Sequence, residues 1–183
     1  GFGNVTVITR DVNVLDFGDS LFDRCVSVEM FEHMRNYRTL LASISRWLKP
    51  DGKLFVHIFV HRYLMYPFET QGEDNWMGRY FFTGGIMPSA DTLLHFADSL
   101  SIERRWLVPG RHYAQTSNHW LANQDANEPA VREILEKAYG KEKAAIWAQR
   151  WRMFWMACAE LFAYNDGNEW MVSHYLFSNK KPG

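Results

Sequence analysis

Hydrophobic residues along this chain change their spacing several times, and each change marks an element. The β-branched run Val5-Thr6-Val7-Ile8 predicts a short strand that closes on Thr9-Arg10-Asp11-Val12. Residues 13–23, with Gly18-Asp19-Ser20, show no period and read as a connecting loop. A second apolar run at 24–28 predicts another strand. The spacing then switches: Tyr37, Leu40, Leu41, Ile44, Trp47 and Leu48 recur at helical steps on one face, with Arg38, Ser45 and Arg46 off it. Lys49-Pro50-Asp51-Gly52 stops that helix, because proline lacks an N–H and glycine supplies a turn. Residues 53–60 are apolar on both faces apart from His57, which predicts a parallel strand covered by helices on both sides. A histidine in such a strand is most often a hydrogen-bonded core residue, and a place in a pocket is the other reading.

Regular spacing is lost over residues 61–88, where Tyr63, Tyr66, Phe68, Trp76, Tyr80, Phe81 and Phe82 are scattered before Thr83-Gly84-Gly85. A segment this long and aromatic inside a compact domain reads as functional. Ser89 is placed to cap a helix over 90–98, and 102–108 predict a strand ended by Pro109-Gly110. Residues 112–164 look helical throughout, in pieces 116–123, 128–139 closed by Gly140, and 141–164. In the last piece Trp147, Trp151, Phe154, Trp155, Cys158, Leu161 and Phe162 make so broad an apolar surface that burial is expected, with Glu160 in want of a partner. Asn165-Asp166-Gly167 predicts a turn, and 170–177 the final strand. This order predicts an α/β fold in one domain: 1–108 and 168–183 form a sheet with its helices, and 109–167 a helical insertion before the last strand.

Chemistry gathers at Val26-Ser27-Val28-Glu29-Met30-Phe31-Glu32-His33-Met34, where an apolar run ends in two carboxylates and an imidazole. In open α/β sheets the edge where strands leave the sheet is where ligands bind. A carboxylate beside an imidazole can hold or remove a proton near neutral pH, since each shifts the other's ionisation. The spacing also permits a blander reading, in which Glu29 and Glu32 complement the dipole of a first helical turn.

Composition narrows the classes of function. Twenty basic residues against twenty-one acidic ones, with no basic face, exclude nucleic acid as the expected partner. Aromatics at 16% suit a filled core or a pocket for a flat or cationic organic ligand. The two cysteines, Cys25 and Cys158, lie in apolar surroundings without CxxC spacing, so they read as buried thiols in a reducing compartment and no metal site is expected. The longest purely apolar run, 153–159, is too short to span a bilayer, and no secretory signal is visible; a cytoplasmic protein without stable membrane insertion is expected.

Four stretches carry a closer likeness. They are Ser27-Val28-Glu29-Met30-Phe31-Glu32-His33-Met34, Arg79-Tyr80-Phe81-Phe82-Thr83-Gly84-Gly85 with Met87-Pro88-Ser89, Gly110-Arg111-His112-Tyr113, and Ala159-Glu160-Leu161-Phe162 through Glu169-Trp170-Met171-Val172. Together they resemble the coclaurine N-methyltransferase group of the cyclopropane-fatty-acyl-phospholipid synthase family, in order over nearly the whole chain. The resemblance implies part of a class I, Rossmann-like methyltransferase sheet, S-adenosylmethionine as cofactor, and N-methylation of a small amine of the coclaurine or benzylisoquinoline kind. It implies that Asp11, with Val12 beside it, binds the donor's adenine amino group. It implies that Glu32 and His33 engage the substrate amine with Glu29 nearby, and that His57, Tyr80, Phe81 and Tyr113 belong to the substrate pocket, with the helical insertion on the substrate side; plain packing is the other reading of Tyr113. The lipid-modifying branch implies a phospholipid acyl chain as acceptor, with Glu32, His57 and Tyr113 holding a bicarbonate ion as base. Cys158 falls at a cysteine flagged in some members, but its apolar neighbours favour a structural role.

The family's glycine-rich donor loop should precede Asp11, and Gly1-Phe2-Gly3 is too short and too close to serve. The expectation is therefore the carboxy-terminal portion of a longer enzyme, inactive alone, with a gap or an improvised pairing between 5–8 and 24–28 and an exposed hydrophobic edge. An alternative of another class is a non-catalytic module that binds a partner through that edge.

Overall fold

A computed structural model describes residues 2–180. The chain runs β1 (Phe22–Val28), α1 (Tyr37–Trp47), β2 (Leu48–His61), β3 (Tyr66–Pro67), α2 (Trp76–Tyr80), β4 (Ile86–Met87), β5 (Leu100–Val108), α3 (Arg111–Ala126), α4 (Glu128–Tyr139), α5 (Lys141–Gly167) and β6 (Trp170–Asn179). The main sheet has the order β1-β2-β6-β5, with β1 and β2 parallel and β6 antiparallel to both its neighbours. β3 and β4 make a separate two-stranded pair.

α1 carries the core of one side. Tyr37, Leu40, Leu41, Ile44 and Trp47 are all 5% exposed or less and pack with Leu54, Val56, Ile58 and Val60 of β2. On the other face of β2, Phe59 joins Met87, Ala114, Phe154, Cys158 and Phe162 in a second cluster under α3 and α5. The predicted stop at Lys49-Pro50-Asp51-Gly52 is absorbed as an irregularity within β2: Phe22 pairs with Leu48, but Arg24 pairs with Lys53.

Val5-Thr6-Val7-Ile8 is not a strand. Its three apolar residues are exposed and no described strand pairs with it, because β-branched composition favours extended backbone only where an edge accepts the hydrogen bonds. Between it and β1 there is thus a gap, and β1 leaves Val26 and Val28 more than half exposed. The helix expected over 90–98 shrinks to a 3-10 turn, Thr92–Phe96; the Ser89 N–H donates to Thr92 Oγ1 (2.9 Å), so the serine closes a turn where a cap was expected. α5 is the long helix foreseen, but one side is open: Ile146, Met153 and Met156 are exposed. Glu160 is exposed too, so water solvates it and no partner is required.

The three helices α3–α5 leave and rejoin the sheet at one knot. Gly110 N–H donates to Gly167 O (2.8 Å). A Cβ on Gly110 would lie 2.0 Å from Trp170 O, and Gly167 has φ +72 after two left-handed residues, Asn165 and Asp166. Among the described residues, no helix is long and apolar enough to cross a membrane.

Candidate active site

β1 ends where its parallel pairing ends, at Val28 opposite His57. Glu29 then takes a left-handed backbone (φ 49) while its N–H still donates to His57 O (3.0 Å). A non-glycine residue there costs on the order of 1 kcal/mol, and the turn aims its side chain back over the sheet edge. The 3-10 turn Phe31–His33 follows, closed by Met34 N–H donating to Phe31 O (3.0 Å), and it drives Glu32 inward to 1% exposure. Glu29 lies outside that turn, so the helix-dipole reading of the two carboxylates fails.

Neither carboxylate is fully satisfied. Glu32 Oε2 and Glu29 Oε1 are buried without a hydrogen-bond partner among the described residues. Glu29 Oε1 sits 3.1 Å from His57 Nε2 but out of hydrogen-bond alignment, and Glu32 Oε1 sits 3.7 Å from His33 Nε2. Burial pushes Glu29 up to about 8, with the charge of Glu32 adding to it. Burial likewise pushes Glu32 up to about 7. The field is felt nearby: the Cys158 thiol is pushed up to about 12 by burial and then by Glu29. The Tyr113 hydroxyl is raised by burial, then by Glu29, Cys158 and Glu32. Such a site accepts a proton, or a cation, near neutral pH.

A cavity of about 410 Å³ opens on this group, lined by Val28, Glu29 and His57 from the sheet edge, His112, Tyr113, Thr116 and Trp120 from α3, and Val172 and His174 from β6. The structure thus brings Glu29, Glu32, His57, Tyr113 and Cys158 together. His33 is half-exposed and its ring stacks on Phe82 (6.3 Å between centroids). Tyr80 and Phe81 are placed elsewhere, against α5: Tyr80 under the Arg150 guanidinium (3.8 Å), and Phe81 stacked on Phe154 (4.4 Å). The aromatic turned toward the cluster is the next residue, Phe82.

Asp11 is exposed, and its Oδ1 accepts both the backbone N–H and the Nδ2 of Asn13 (2.9 Å each), which leaves Oδ2 for an incoming N–H donor. Asn13 Oδ1 in turn accepts from Asn36 Nδ2 (2.9 Å), tying Asp11 to the end of the sheet from which Glu32 and His33 project. Val12 packs on the α1 core. Sequence spacing gave no hint of His174. It faces His57 across the β2–β6 pair with Nδ1 of His57 and Nε2 of His174 at 2.9 Å, and only strand register could have found it.

A family profile described as Mycolic acid cyclopropane synthetase matches residues 5–171. An (S)-coclaurine N-methyltransferase of Papaver somniferum is 40% identical over 180 residues, covering 97% of this chain and 51% of that protein. A cyclopropane-fatty-acyl-phospholipid synthase of Escherichia coli (strain K12) is 27% identical over 172 residues, covering 92% and 41%. The crystal structure of a coclaurine N-methyltransferase bound to N-methylheliamine and SAH superposes with a TM-score of 0.87 at 36% identity, covering 96% of this chain and 54% of that one. The chain spans about half the length of the curated relatives it matches. With most of its length inside that profile and a matching fold, the chain belongs to the mycolic acid cyclopropane synthetase family.

Proposed function

We propose that these residues form the acceptor side of an S-adenosylmethionine-dependent methyltransferase that N-methylates a small amine of the coclaurine or benzylisoquinoline kind. One observation carries the reading: Glu29 at the cavity and the fully buried Glu32 behind it each keep a buried oxygen unpartnered, and both are pushed up toward neutral pH. A cationic amine would supply the missing N–H donors and the opposite charge, while Tyr113 and Trp120 offer aromatic faces. An ammonium has no free electron pair, so it must give up a proton before its nitrogen attacks. Glu32 and Glu29 take that role better than solvent carboxylates, because their raised proton affinity lies close to the working pH. His33, beside Glu32, orients it and stacks on Phe82.

S-adenosylmethionine supplies an electrophilic methyl group on a sulfonium. The described residues fit its adenine end, through the free Oδ2 of Asp11, with Val12 alongside. They contain no glycine-rich turn after a strand to meet its methionine end. The relatives' names as N-methyltransferases, and the amine and SAH in the matched crystal structure, support the reading. The lipid-modifying alternative gains from His57 and Tyr113 sharing the cavity. It loses because the N-methyltransferase relatives are 40% and 38% identical to this chain, against 27% for the cyclopropane-fatty-acyl-phospholipid synthase. The free thiols Cys25 and Cys158 suit the cytoplasm, where we place the protein.

The test is methyl transfer from labelled donor to a panel of secondary amines and to phospholipid. It is measured on residues 1–183 joined to a donor-binding half that carries a strand–GxGxG–helix unit. Glu32→Ala with His33→Ala should cut amine methylation at least 100-fold with folding retained. Undiminished turnover, or label appearing in phospholipid alone, overturns the reading.

A further inference from the structure

His57 and His174 are the polar pair the acceptor chemistry leaves unused. They are direct register partners on β2 and β6, at the centre of the sheet and on the face shared with Glu29. Three polar groups, one just past the end of β1 and two on the adjacent β2 and β6, therefore stand in line: Glu29 Oε1 in ion-pair contact with His57 Nε2 at 3.1 Å, a small carboxylate rotation short of hydrogen-bond alignment, and His57 Nδ1 hydrogen-bonded to His174 Nε2 at 2.9 Å. All three line the cavity, and the His57 side chain is still 31% exposed. Among the described residues no group of three His, Cys, Asp or Glu is arranged to hold a metal ion, so ligation does not explain the alignment.

We infer that Glu29, His57 and His174 form a proton relay that carries the proton lost by the acceptor amine across the sheet to solvent at His174. The inference rests on the amine-methylating reading above. In the first step an N–H bond of the ammonium breaks, its electron pair stays on nitrogen, and the proton joins the Glu29 carboxylate. Glu29 passes a proton to His57 Nε2, His57 Nδ1 passes its own to His174 Nε2, and His174 Nδ1 releases one to water. Each imidazole exchanges one tautomer for the other; one proton leaves and no electron is transferred.

The surroundings keep the resting proton on Glu29 and both imidazoles neutral between passages. Burial lowers both imidazoles' affinity for a second proton, and His174 adds to the effect on His57. A protonated imidazole is therefore a transient carrier and not a resting cation. The titratable and charged groups about the line are Glu32 at the β1 exit, His112 and Tyr113 on α3, Cys158 on α5, and Arg104 on β5. Arg104 is drawn off over the Trp106 ring (4.9 Å), so it does not pair with His174, the register partner of Trp106.

The test has two arms. In the first, the histidines of the full chain are labelled with ¹⁵N and titrated by NMR. His57 and His174 should titrate as a coupled pair whose steps move together in Glu29→Gln, and His174→Asn should shift the His57 tautomer balance. Independent titrations that ignore Glu29→Gln overturn the relay. In the second, amine methylation is followed in the joined protein. His174→Asn should keep KM within twofold, lower kcat about tenfold, and make kcat depend on buffer concentration; added imidazole should restore His174→Ala. A kcat that is unchanged, or lost without imidazole rescue, overturns the relay. If the parent protein methylates no amine at all, the proposed reaction fails while the NMR arm still decides the relay.

Discussion

On one face of β2, Leu54, Val56, Ile58 and Val60 are sealed beneath α1, each 1% exposed or less. The polar tips that reach that core, Tyr37 and Tyr175, donate to the carbonyls of Phe31 and Ala90. Around the opposite face, His57 faces a cavity, and Glu29 at its rim and the buried Glu32 nearby keep oxygens without partners. The same strand thus serves two purposes through its alternation: one row of side chains holds the fold and the other holds chemistry that weakens it. A buried, half-satisfied carboxylate is tolerated only because the first face supplies the stability.

The largest expected break in that contrast comes from the sealed side. Leu41→Ala removes a fully buried side chain and should cost roughly 2–5 kcal/mol of stability by urea unfolding. The ¹⁵N signals of His57 and His174 should be left in place; if they move instead, the two faces are not independent. Next comes the carboxylate side, where the sign reverses. Glu32 binds its proton up to about 7 in the folded chain, against 4.5 ordinarily. Between those values the folded state holds a proton the unfolded state has lost, so stability is full below pH 4.5 and falls as pH rises through 7. Glu29 extends the decline to about pH 8. Glu32→Gln should therefore be more stable than the parent at pH 8 by about 1–3 kcal/mol, and nearly equal to it at acid pH. An equal difference at both pH values would show that the carboxylate is not strained by burial. The smallest effect is kinetic. Cys158, its thiol pushed up to about 12, should resist iodoacetamide at pH 8 in the folded protein and react only after unfolding; rapid labelling would deny it the buried acidic surroundings described.

Much of the sealed face was legible in the sequence, because α1 and β2 state their burial through spacing alone: a three-and-four rhythm, then an unbroken apolar run. The acid–imidazole cluster was legible for a different reason, since an apolar strand ending in charge marks a sheet edge. What stayed hidden depends on contacts between distant residues. Val5-Thr6-Val7-Ile8 has the residues of a strand but no edge to pair with. Tyr80, Phe81 and Phe82 are alike in type, and only the path of the loop turns the third toward His33 and the first two toward α5. His174 looks like any polar residue in a half-buried strand until register sets it opposite His57. The resemblance to a family supplied a different kind of information, naming Glu29 and His57 together although 28 positions of chain separate them, a distance closed only by the parallel pairing of β1 and β2.

The glycine clasp between residues 110 and 167 has a consequence for how such a protein can diversify. Because α3, α4 and α5 depart from and return to a single point, their lengths and surfaces can be exchanged without re-threading the sheet, provided neither glycine gains a side chain. A descendant could accept a differently shaped guest by trading that tripod while the acids at the rim stay where they are.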